Sequence, residues 1–235
     1  MAPVDQQAVL LRSPVLPLVL QHSSVHTDLQ AVLQLCCTSK AIRAAVLQQV
    51  RGLLDVSFTT SSSQHTQCFA AWISKYGQLM GCLSILPGYH HQEPSMYGFY
   101  GETAENQLEE AQLCIAAALV QLQQKQQKQQ QQRDQGSMQL RALQLLPAVD
   151  SADALLQAVP SSMLLSLHLK GLCSPSRSLK TAGMACIAAF SQLQSLVLAP
   201  VLSAEQLQHV LPALTALTHL ELQSRSCFST AARSC

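Results

Sequence analysis

The chain is short of charge. Asp, Glu, Lys and Arg together supply 11% of its 235 residues, less than half the share of a usual soluble domain. The charges nearly cancel, leaving a formal net charge of +1. No strong field remains to attract nucleic acid or an anionic membrane surface. Aromatic residues make up only 4%, and Asn106 is the sole asparagine. The nine cysteines are odd in number and include no C-x-x-C spacing. The apolar share of 48% is enough to build a core. Together these values argue against a disordered tail, a collagen and a small disulfide scaffold.

Recognisable chemistry is also missing. The chain contains no G-x-S-x-G, no phosphate-binding glycine loop and no H-E-x-x-H, and no enzyme activity is expected. His22 and His26 precede Cys36-Cys37, but adjacent cysteines chelate one ion poorly, so neither a metal nor another cofactor is expected. Most cysteines sit in apolar company, as in Met184-Ala185-Cys186-Ile187. There they pack like small hydrophobes, as in a reduced intracellular protein, cytoplasmic or nuclear. Asp5 and Pro17 spoil a signal peptide. The uncharged run from Thr181 to Ala204 holds Ser191, Gln192, Gln194 and Ser195 at its middle and Pro200 beyond them. That pattern suits a soluble helix and strand better than a membrane span.

What the chain does have is a repeat. Leu-x-x-Leu-x-Leu occurs at Leu140, Leu143 and Leu145, then at Leu164, Leu167 and Leu169. It returns at Leu193, Leu196 and Leu198, and at Leu217, Leu220 and Leu222. The central leucines lie 24, 29 and 24 residues apart. Met80, Leu83 and Ile85 form a weaker copy. Two leucines spaced by two break helical periodicity and point to one face of a strand. After the strands come helical apolar sets: Leu155, Leu156 and Val159; Met184, Ile187 and Phe190; Leu207, Val210, Leu211 and Leu214. Ser203 and Gln206 have the spacing of a capping box for the last of these. The expected fold is α/β, a short stack of parallel strands with outer helices.

In these copies the sequence resembles a leucine-rich-repeat solenoid over roughly residues 69–223. The asparagine that usually follows the strand is absent, so other groups must close those turns. Residues 13–50 differ, reading as two or three short helices. Pro14 opens an apolar stretch through Leu18, Asp28 precedes Leu29, Leu35-Cys36 follows, and Lys40, Ile42 and Arg43 come next. This segment resembles an F-box, and the whole resembles F-box/leucine-rich-repeat proteins of plant or green-algal type. The resemblance implies docking on a cullin-ligase adaptor through Pro14, Leu18, Leu29, Leu35, Cys36 and Ile42. The alternative is that these helices only cap the first repeat.

Five segments result: a helical module over 1–57, an irregular first repeat region over 58–120, a Gln-rich low-complexity insertion over 121–136, the repeats over 137–223 and a tail over 224–235. The Gln-rich stretch either extends the preceding helix into solvent or is disordered. Trp72, Ile73 and Tyr76 form one helical face leading into the weak copy, with Trp72 expected in the core. No polar capping unit follows Leu222, as in a fragment lacking C-terminal repeats.

Binding is expected on the sheet. The neighbours of the inward leucines face out: Gln144; Ser166, His168 and Lys170; Ser195 and Val197; His219, Glu221 and Gln223. Aligned strands would bring them into rows that suit a polar protein surface. A second candidate is the loop over 87–101, where Tyr89, Tyr97, Phe99 and Tyr100 cluster among glycines. The resemblance implies a substrate-recognition subunit of a cullin-type (SCF) ubiquitin ligase, with protein partners and neither nucleic acid nor membrane. The alternative is a repeat scaffold or inhibitor unrelated to ubiquitin.

Overall fold

A computed structural model describes residues 32, 34, 37, 40–88, 102–130, 139–148, 151–171, 179–199 and 204–222. Its elements alternate. Helix α1 (Lys40–Gln49) leads to strand β1 (Leu54–Thr59) and helix α2 (Ser63–Tyr76). Then come β2 (Met80–Leu86), α3 (Glu102–Gln130), β3 (Ala142–Ala148) and α4 (Ala152–Ala158). The series ends with β4 (Ser166–Gly171), α5 (Thr181–Ala189), β5 (Ser195–Ala199), α6 (Ala204–Val210) and β6 (His219–Leu222). Among the described residues the six strands form one parallel sheet in chain order. The protein is therefore α/β, each strand-and-helix unit lying against the one before.

The leucine copies set the register. Leu83, Leu143, Leu167, Leu196 and Leu220 are successive Cα partners across β2 to β6. The next inward row is Ile85, Leu145, Leu169, Leu198 and Leu222. From β2 to β5 both rows are buried in one core, together with Ile73, Leu108, Ile115, Leu119, Leu155, Leu156, Ile187 and Phe190 from the helices. At β6 the pattern stops short: Leu220 is 39% exposed and Leu222 50%. β6 has a strand neighbour on one side only among the described residues.

A backbone ladder ties the units together. The Arg141 carbonyl accepts from the amides of Leu165 and Ser166, at 2.7 and 2.9 Å. The Leu165 carbonyl does the same for Gln194 and Ser195, at 2.8 and 3.0 Å. The Gln194 carbonyl accepts from Thr218 and His219, each at 2.9 Å. At the exit of β1 a side chain, Thr60, closes the turn. It is buried, and its Oγ1 accepts from the Gly88 amide at 2.9 Å. At β3 the register slips between Leu145 and Ala148, around Pro147, which has no N–H to give a ladder.

Two segment boundaries read from sequence fall inside elements. The one at 57/58 cuts β1, where Leu54, Val56 and Phe58 alternate inward against exposed Asp55, Ser57 and Thr59. β1 pairs in parallel with β2, and α1 and the residue after it place Val46 and Val50 in the same core. The one at 120/121 cuts α3. Of the two readings of the Gln-rich stretch, continued helix holds for residues 121–130; residues 131–136 lie outside the described residues. Leu122 and Gln126 are buried there, and the Gln123 amide donates to the Ala158 carbonyl at 2.7 Å. Gln is a good helix former, so the tract extends a helix whose first half is already anchored.

Aromatic rings of β1 and α2 follow one another, stacked from Phe58 through Phe69 to Trp72 and tilted between Trp72 and Tyr76. Phe58 and Phe69 lie 4.4 Å apart between ring centroids, Phe69 and Trp72 5.8 Å, and Trp72 and Tyr76 6.2 Å. Phe69, Trp72 and Tyr76 are half-buried against the core, so Trp72 is a packing residue.

Candidate partner-binding face

The outward side chains form rows because the strands are in register. The central row runs Ser57, Ser84, Gln144, His168, Val197 and Glu221. A second row runs Asp55, Cys82, Ala142, Ser166, Ser195 and His219. Lys170 partners Ala199 in a third. Adjacent strands lie about 4.8 Å apart, so neighbours in a row are in side-chain reach. The structure thus brings together Gln144, Ser166, His168, Lys170, Ser195, His219 and Glu221. Gln223, the loop residues Tyr89, Tyr97, Phe99 and Tyr100, and Pro14, Leu18, Leu29, Leu35 and Cys36 lie outside the described residues. Ile42 is half-buried on α1 against the core.

Sequence reasoning missed the β1 and β2 end of the face. Asp55, Ser57, Cys82 and Ser84 belong to the same rows, but β1 carries Val56 and Phe58 where the template requires leucine. The strict alternation Leu54, Val56, Phe58 was the available signal.

The face is mostly polar and carries few charges. The Ser84 hydroxyl donates to Gln144 Oε1 at 3.2 Å, which holds the amide in place. His168 lies between Gln144 and Val197, with its Nε2 shielded from solvent and without a hydrogen-bond partner. Burial holds its pKa below the ordinary 6.5, nearby Lys170 pushes the same way, and Glu221 opposes. At neutral pH the ring is uncharged. His219 and Glu221 are 4.0 Å apart, but both are largely exposed, so the pair is worth little. Burial, then the Asp55 charge, pushes the Cys82 thiol up, away from the reactive thiolate.

No family model matches the chain, and no curated protein does. The reading of this face rests on its own residues. Among the described residues no group of three His, Cys, Asp or Glu side chains is placed to hold a metal ion. No helix among them is long and apolar enough to cross a membrane.

The helical side carries a cleft of about 420 Å³ between α3, α4 and α5, lined by Glu109, Leu113, Asp153, Gln157 and Lys180 among others. Its polar groups hold the helices together. The Ser151 hydroxyl donates to Gln112 Oε1 at 2.9 Å. The Lys180 amide, at the N-cap of α5, donates to Asp153 Oδ2 at 3.3 Å. Gly183 follows within the first turn, and a Cβ on it would run into the Asp153 carboxylate. The cleft is best explained as the seam where α4 caps α5.

Proposed function

We propose that this chain is a protein–protein interaction module, a short leucine-rich-repeat solenoid whose outward rows bind a target protein. The observation that carries the reading is the alignment of Ser84, Gln144, His168 and Glu221 in one row over a continuous parallel sheet. An extended row of mostly polar side chains, running through Val197 to Glu221, suits a protein surface better than a small substrate.

We further propose that residues 13–50 act as an F-box, making the chain a substrate-recognition subunit of a cullin-type ubiquitin ligase. The Pro14 to Leu18 start, the Asp28-Leu29 pair and Leu35-Cys36 support this. The chain would supply proximity while another subunit does the chemistry. A second reading, a scaffold whose N-terminal helices only cap the stack, draws on Val46 of α1 and Val50 just after it, both in the core.

Binding of the purified full chain to a cullin-ligase adaptor separates the two. The receptor reading expects saturable binding that Leu29→Asp and Leu35→Asp each abolish while circular dichroism stays unchanged. Well-folded protein that binds no adaptor leaves the scaffold reading.

A further inference from the structure

Helix α3 is the longest element, 29 residues against 14 for α2 and 7 for α4. One side is fully used. Leu108, Ala111, Ile115, Ala118, Leu119 and Leu122 are buried in the core, with α3 packed on α2 and α4. Away from the core runs a stripe of Leu113, which also borders the cleft beside α4 and α5, then Ala117, Val120, Gln124 and Gln127, all exposed. Leu113 is 47% and Val120 39% exposed, two of four large apolar residues so exposed among those described. The spacing alternates four and three residues, the period of a coiled-coil seam. At 1.5 Å per residue the stripe is about 21 Å long.

The charges of α3 are segregated. Glu102, Glu105, Glu109 and Glu110 occupy its first third; Lys125 and Lys128 occupy its last turns. Two copies of α3 laid antiparallel bring Glu109 and Glu110 of each level with Gln127 and Lys128 of the other. A parallel pair would set Glu110 against Glu110 and Lys128 against Lys128. In the antiparallel register Ala117 of each copy faces Val120 of the other, Leu113 faces Gln124, and Glu110 comes level with Gln127 and Lys128. The arrangement is self-complementary, as a two-fold interface requires. We infer that this chain self-associates through α3, pairing its Leu113–Ala117–Val120 stripe antiparallel with that of a second copy.

Sedimentation velocity of the full chain over a concentration series tests this. The expected result is a reversible monomer–dimer equilibrium. Val120→Glu should weaken it about tenfold or more, by putting like charges into the seam. Ala117→Arg should act the same way, and both positions are exposed, so circular dichroism should be unchanged. Glu110→Lys or Lys128→Glu alone should weaken the dimer severalfold; the double exchange should recover it. Glu110 also accepts from the Ser63 hydroxyl of α2 at 2.6 Å; that exposed bond is within one chain, so its loss should show in the urea midpoint and not in the recovery of pairing by the double exchange. A monomer at every concentration overturns the inference, including the case in which the stripe serves a different helix. So does a dimer insensitive to Val120→Glu, or a charge exchange without recovery.

Discussion

Leu167 and Leu220 hold the same place in their strands and are joined in register through Leu196. Their burial differs: Leu167 is 0% exposed and Leu220 39%. Truncation to alanine should therefore cost very different amounts. Removing three buried carbons at about 0.8 kcal/mol each gives about 2.4 kcal/mol of lost transfer energy. At Leu167 a cavity term adds to this, because β3 and β5 on either side cannot close in, and the total should be about 3–4 kcal/mol. At Leu220 the transfer term falls by the exposed fraction to about 1.5 kcal/mol, and little or no cavity forms at an edge. Urea unfolding measures both, as shifts of midpoint at constant slope. Leu167→Ala should move the midpoint at least twice as far as Leu220→Ala. Equal losses would refute the argument, since they would mean that β6 is as enclosed as β4. A loss below about 1 kcal/mol at Leu167 would refute it from the other side, because the inward rows would then not be the core.

Two further outcomes follow from single contacts. The pKa of His168 lies below its unfolded value of 6.5, so the neutral ring contributes stability that is present above pH 6.5. That contribution is lost as the pH falls through the folded value; His168→Gln should flatten this acid limb of the urea midpoint, and an unchanged limb would refute the assignment. Gly183→Ala should destabilise by about 1–3 kcal/mol despite alanine's better helix propensity, because the Asp153 carboxylate occupies the space of the new Cβ. In a double-mutant cycle Asp153→Ala should remove most of that penalty, and strict additivity would show that the two residues do not collide.

How much of this was legible in the sequence varies by element. Strands β3 to β6 were readable because leucines two apart recur in one register, which no helix produces. β1 was not, since Val56 and Phe58 satisfy the same alternation without the leucine signature. The rows of the outward face followed from the strands, so Gln144, His168 and Glu221 were found while Ser57 and Ser84 were missed. The end of α3 could not be read from composition. A glutamine run looks the same as coil or as helix, and contacts made at Leu122, Gln123 and Gln126 decide between them. The Asp153–Lys180 cap joins residues 27 apart through packing alone. The exposure of Leu220 and Leu222 depends on what lies beside β6, and no property of those residues encodes it.

The two surfaces proposed as sticky lie on opposite sides of the molecule. The outward rows occupy one face of the sheet, while α3 belongs to the helical layer packed on the other, leucine-lined face. Pairing through α3 would therefore leave both sheet faces free, directed away from the joint. A dimer of that kind holds two target sites at a fixed spacing. A target face that is mostly polar, with few charges and few apolar anchors, would bind weakly alone. Presented twice, it would gain affinity for targets that are themselves repeated or dimeric, with no new contact needed. The gain should vanish with Val120→Glu while binding to a single-site target stays the same. Equal losses for both kinds of target would instead place α3 within the target site itself.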